Sequence, residues 1–229
     1  MSARGGGWSP AARWSLVALV AVVGLVVALV STMHGGGSPS TGGGAARPDA
    51  PPVGAPPQDE PRTLADPAAR EAAGLPACRD AAAPATTSGP LAGVMVGCMA
   101  DGSQTSLGKI QSGKPMVVNL WAYWCGPCRT ELPAVKAASA RLGDRVRVVL
   151  SHTDPSETKG LTTLESLDMH EISVSDPEEQ LPQMLGAPPV LPLTLLVRAD
   201  GSLAKVLVEP MDSEQELLDA VAEHLGVTA

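Results

Sequence analysis

Apolar positions along this chain fall into three patterns, each predicting a different kind of element. An unbroken apolar run covers 16–30, inside a charge-free stretch from Trp14 to Met33. Twenty such residues at about 1.5 Å each span about 30 Å, the hydrocarbon thickness of a bilayer. Arg4 and Arg13 precede the run, and after it the next arginine is Arg47. That asymmetry predicts a cytoplasmic N-terminus (1–13), a membrane anchor (14–33) and export of the rest of the chain. A cleaved signal peptide is the rival reading, and Met33 and His34 make a poor cleavage context for it. No cysteine precedes Cys78, so a lipid-modified cysteine after the run is excluded. Residues 34–74 read as a linker, with Gly35-Gly36-Gly37, Gly42-Gly43-Gly44, Pro51-Pro52 and Pro56-Pro57.

The second pattern is a series of short, nearly continuous apolar runs. Residues 94–99, 116–122, 146–150, 193–197 and 203–208 read as strands. The run 116–122 suits a central strand covered on both faces. Asp200-Gly201 predicts a hairpin turn between the last two. The third pattern is helical spacing. Leu132, Val135, Ala138 and Leu142 predict a helix over 127–142, with Pro133 inside it as an expected kink. Shorter helices are expected over 157–167 and 178–185. Ser213 and Glu216 have the spacing of a capping box before Leu217, Leu218, Val221 and Leu225, and Gly226 ends that helix. Residues 105–115 and 168–177 carry no clear period. Together these predict an α/β domain over 75–229, a mixed sheet with helices on its faces.

Composition narrows the function. The net charge of -8 falls entirely on 75–229, because 1–74 balance five arginines against five acidic residues. An acidic domain argues against nucleic acid as a partner, since phosphates need a basic face. Phenylalanine is absent, so the core must be built from Val, Leu, Ile, Met and Ala with a few Trp.

The chemistry lies in Trp124-Cys125-Gly126-Pro127-Cys128, at the junction of a buried strand and a helix. Two cysteines three positions apart there can close a small disulfide ring. The first sits at the helix N-terminus, where free backbone N–H groups and the helix dipole stabilise a thiolate. Pro127 occupies a position where no N–H is needed. A C-x-x-C can also be half of a zinc site, but no second pair of ligands accompanies it and the four histidines are scattered. The redox reading is therefore taken, with no metal or diffusible cofactor. Cys78 and Cys98 stand apart from this motif. In an exported chain they are expected to form a structural disulfide, and a second redox pair relaying electrons to Cys125 is the rival. Neither has the helix-start context that would activate a thiol.

The stretch 117–133, VVNLWAYWCGPCRTELP, resembles the active-site strand and helix of thioredoxin-fold proteins. More narrowly it resembles the membrane-anchored TlpA/ResA-type thiol–disulfide oxidoreductases. The resemblance implies a thioredoxin-like fold, Cys125 as attacking thiol and Cys128 as resolving thiol. It makes Trp124, Gly126 and Pro127 part of the substrate surface, and Pro192 a cis-proline facing the cysteines. The peptide groups at Leu191 would then pair with an extended substrate chain. Glu131 matches an acidic residue of the ResA-like branch that tunes cysteine ionisation or relays protons; a first-turn glutamate favoured by the helix dipole is the plainer alternative. Ordinary thioredoxins carry a buried Asp where this chain has Asn119, which cannot titrate. Implied partners are protein thiols and disulfides, a membrane redox protein supplying or accepting electrons, and the bilayer. The resemblance suggests a reductase, for instance for apocytochrome c cysteines. An oxidase or isomerase for exported proteins, and a non-catalytic tethered module that holds extended segments, are the other readings.

Overall fold

A computed structural model describes residues 61–78 and 89–229. The anchor segment at 14–33 and the Gly/Pro-rich residues 34–60 lie outside the described residues. Among the described residues no helix is long and apolar enough to cross a membrane.

The strands are β1 (Met95–Cys98), β2 (Gln104–Ser106), β3 (Met116–Trp121), β4 (Arg147–His152), β5 (Ile172–Ser175), β6 (Leu193–Val197) and β7 (Leu203–Leu207). They form one mixed sheet in the order β2-β1-β5-β4-β3-β6-β7. β3 pairs parallel with β4 and antiparallel with β6, so it has a neighbour on each side. All six of its residues are buried. The pleat sends alternate side chains to opposite faces. Val117 and Trp121 join the core beneath the helices α3 (Gly126–Leu142), α4 (Glu157–Ser166) and α6 (Glu214–Leu225). Met116, Val118 and Leu120 join the second core, with Ile110 of α2 (Leu107–Gln111) and Leu181 of α5 (Gln180–Leu185). Continuous apolarity in β3 thus reflects two covered faces.

α3 runs through Pro133 to Leu142 and buries Leu132, Val135, Ala138 and Leu142 on one side. α6 starts at Ser213, whose hydroxyl accepts the Glu216 N–H at 3.4 Å. The Glu216 carboxylate reaches back to the Asp212 N–H at 3.0 Å, one residue earlier than the usual reciprocal cap. Gly201 takes φ 84° in the β6–β7 turn, a backbone conformation that favours glycine.

The linker expected over 34–74 is corrected at its C-terminal end. Residues 61–74 are built into the domain. Thr63 bridges to Ser156, and α1 (Pro67–Ala73) is capped by Asp66, whose carboxylate accepts the Ala69 N–H at 2.7 Å. Gly/Pro composition describes the preceding residues, whereas 63–73 contain a cap, a Pro at the first helical turn and Arg70 with a buried partner.

Cys78 and Cys98 are joined by a disulfide, and both are buried. The bond ties the segment after α1 to the end of β1. Closing a loop of this length stabilises a fold by about 3 kcal/mol in the chain-entropy model. Cys78→Ala/Cys98→Ala is expected to lose stability on that scale in urea titrations. Unchanged stability would remove the structural role.

Candidate active site

Strand β3 ends at Trp121, and four residues later Cys125 caps helix α3. Cys125 and Cys128 form a disulfide across the first turn. Cys125 Sγ accepts the Cys128 N–H at 3.3 Å, one of the donors a helix start leaves without an intrahelical partner. Pro127 lies in that first turn, where its missing N–H removes nothing. Cys125 keeps 2% of its surface and Cys128 none, so both residues are buried and Cys125 is the less enclosed of the two.

The Leu191-Pro192 peptide is cis. Its place follows from register. Leu120 of β3 pairs with Leu193 of β6, so the next positions outward are Trp121 and Pro192. The proline loop therefore flanks the end of the strand that leads into Cys125. Leu191 is half-buried and touches both cores. Val190 beside it is exposed.

Trp124 immediately precedes Cys125. Its indole N–H donates to Asp154 Oδ2 at 2.8 Å, and Asp154 Oδ1 accepts the Ser156 N–H at 2.7 Å. Sequence reasoning missed Asp154, because its partner is 30 positions away and nothing local marks it.

Glu131 is almost fully buried, at 1% exposure, on the inner face of α3. It is therefore no solvent-facing first-turn glutamate. Oε1 accepts from Asn119 Nδ2 at 2.6 Å and Oε2 accepts the Met211 N–H at 3.1 Å. Asn119 also donates to Thr194 Oγ1 at 3.0 Å. Burial raises the Glu131 pKa, and the bonds from Asn119 and Met211 pull it partly back. The titratable carboxyl that β3 lacks is thus held against β3 by Asn119.

His152, at the end of β4, is also buried. Its ring lies 4.8 Å from the Trp121 ring, and neither nitrogen has a partner among the described residues. Desolvation lowers its pKa to about 3. A Cβ on Gly160 would meet the ring at 2.9–3.0 Å, so the glycine inside α4 makes room for it. That mid-helix glycine was the sequence signal available. No group of metal-ligating side chains occurs among the described residues.

Residues 78–222 match the family model described as Redoxin. The chain belongs to the Redoxin family. This Redoxin chain is 44% identical over 43 residues to "Thioredoxin-like protein slr1139" of Synechocystis, covering 19% of this chain and 39% of that protein. It is 35% identical over 92 residues to the chloroplastic thioredoxin M-type of Chlamydomonas reinhardtii, covering 38% of this chain and 65% of that one. The chain thus spans about two fifths of the first of these relatives. Among solved structures, the Redoxin chain is similar to a DsbF homologue from Corynebacterium diphtheriae. There the identity is 25%, the TM-score 0.48, and the coverage 52% of this chain and 77% of that one. It is similar also to a secreted Mycobacterium tuberculosis disulfide oxidoreductase, at 21% identity, TM-score 0.48, and 56% and 94% coverage.

Proposed function

We propose that this Redoxin chain is a membrane-tethered thiol–disulfide oxidoreductase that works outside the cytoplasmic membrane and reduces protein disulfides through Cys125 and Cys128. The observation that carries the reading is the Cys125–Cys128 disulfide with Cys125 as the N-cap of α3. In that position the reduced sulfur becomes a thiolate facing free N–H groups, hence a nucleophile near neutral pH. The thiolate attacks a substrate disulfide, forming one S–S bond and releasing one substrate thiolate. Cys128 then attacks the Cys125 sulfur and releases the second. Two electrons pass to the substrate and the protein ends oxidised. Another membrane redox protein then returns the pair to the dithiol.

Trp124, Gly126, Pro127, Leu191 and Pro192 form the surface against which an extended substrate chain lies, with the peptide groups at Leu191 as its hydrogen-bond partners. Glu131 takes the proton role that an Asp on β3 would otherwise fill. Its raised pKa places that titration above the ordinary glutamate range. The rate–pH profile of exchange is expected to show an inflection there that Glu131→Gln lacks; identical profiles would remove Glu131 from proton transfer. Location rests on the apolar stretch 14–33 and the arginines before it. Cytochrome c maturation, with apocytochrome cysteines as substrate, is the proposed setting.

The direction of electron flow is tested by the reduction potential of the Cys125–Cys128 pair in a thiol buffer. A reductase is expected near the thioredoxin value of about -270 mV. A potential near about -120 mV would instead make the protein a donor of disulfides, and the cytochrome reading would fall.

A further inference from the structure

The segment that enters the domain is wired to the residue beside Cys125. Thr63 donates its N–H to the Pro155 carbonyl and accepts the Glu157 N–H, each at 3.0 Å. Its hydroxyl donates to Ser156 Oγ at 3.1 Å. The Ala65 N–H donates to Glu157 Oε2 at 3.0 Å. One turn into α1, Arg70 closes a two-pronged ion pair with Glu157, at 2.6 and 2.8 Å. The same guanidinium donates to the carbonyls of Cys98 at 3.3 Å and Met99 at 2.8 Å. The pair is desolvated, with 10% and 4% side-chain exposure. A buried carboxylate needs such partners, and the forked geometry of arginine fixes its direction as well as its charge.

The loop 153–157 therefore lies between two sets of bonds. On one side the strap 61–74 holds its residues 155, 156 and 157. On the other side Asp154 holds the Trp124 indole, with both carboxylate oxygens occupied. Asp154, Ser156 and Glu157 are all buried, so water is poorly placed to replace a broken link. Half-buried Trp124 meets the substrate, and its orientation depends on an acceptor that the strap keeps in place.

We infer that Arg70, acting through Glu157 and the 153–157 loop, is a positioning residue for the Trp124 indole beside Cys125, so that the segment entering the domain tunes exchange with protein thiols. The inference rests on the proposed oxidoreductase reading. A pre-set indole saves the ordering of that side chain on binding, so freeing it is expected to lower kcat/KM toward a peptide disulfide roughly two- to tenfold. Dithiothreitol, too small to span the Trp124 surface, is expected to react at an unchanged rate.

The test is a double-mutant cycle in the full-length chain. Arg70→Met is compared with wild type, with Trp124→Phe and with the combination. Arg70→Met/Glu157→Gln replaces the single variant if a lone buried Glu157 prevents folding. Two quantities are read, kcat/KM for a peptide disulfide and the Trp124 share of the fluorescence, taken as the difference from Trp124→Phe. The expected result is a red-shifted, more readily quenched Trp124 emission, a slower peptide reaction, and no further slowing by Arg70→Met once Trp124 is Phe. An unmoved emission, or the same slowing in both backgrounds, overturns the inference. The melting temperature falls in either background, as lost packing requires. The wild-type rate serves as a separate control: no exchange with the peptide disulfide defeats the oxidoreductase reading, while the emission arm still tests the strap.

Discussion

Cys125→Ser is expected to lose disulfide exchange by about a thousandfold or more, while Cys128→Ser is expected to keep the first step and stall after it. The difference comes from position. Cys125 caps α3, its sulfur accepts the Cys128 N–H, and it is the less enclosed of the two residues. A serine hydroxyl there has no accessible anion near neutral pH, so the nucleophile is gone; losing a nucleophile outright removes catalysis on that scale. With Cys128→Ser the Cys125 thiolate still attacks, but nothing in the turn can release the mixed disulfide. The covalent adduct with substrate should accumulate and show as an added mass on non-reducing analysis. Exchange that persists in Cys125→Ser, or an adduct that forms through Cys128 instead, would reverse the assigned roles. Either variant also opens the ring, so thermal stability must be read beside the kinetics.

Acidification is expected to destabilise this domain by on the order of 4 kcal/mol through His152 alone, between about pH 6.5 and pH 3. The unfolded chain protonates this imidazole below its ordinary pKa of 6.5, whereas burial holds the folded pKa at about 3. In that window the unfolded state binds the extra proton, so stability falls as pH falls; above the window the histidine has no effect. Glu131 and Asp176 act with the opposite sign. Burial raises both carboxyl groups in the fold, so the native state binds their protons first and gains stability on acidification through that range. His152→Leu removes the titrating ring at similar volume. It is expected to abolish the histidine part of the slope in urea titrations made across this pH range. At neutral pH it should be close to neutral, because the two unpartnered nitrogens disappear with the ring. Equal slopes for wild type and variant would mean that His152 is not held uncharged by burial.

Local signals carried much of the fold and the centre of the site. The run 116–122 and the helical spacing after it name β3 and α3, because each element's exposure pattern is written within a few residues. The pair Cys125 and Cys128 is local in the same sense, since three positions on a helix start determine a disulfide ring and an N-cap. The Ser213 cap and the Asp200-Gly201 turn were readable for the same reason. Where the period failed, the cause is pairing. β5 reads Ile-Ser-Val-Ser, a half-polar sequence, yet it lies between β1 and β4. β2 has only three residues and is an edge strand. Neither is marked by its own composition.

The strand–turn–helix that presents Cys125, the chemistry of a closely spaced dithiol, and an apolar stretch long enough to cross a bilayer are all written in local sequence. Which polar groups are buried, and with whom, came from long-range packing. Glu131 became a buried carboxyl because Asn119, 12 positions back, and Met211, 80 positions on, close over it. His152 is held uncharged by burial, with Gly160 and Trp121 packed against its ring. Arg70 turned a stretch of apparent linker into part of the domain by finding Glu157, 87 positions away. A side chain's charge state and partner depend on neighbours brought together by sheet order and register, and no short window of sequence contains them.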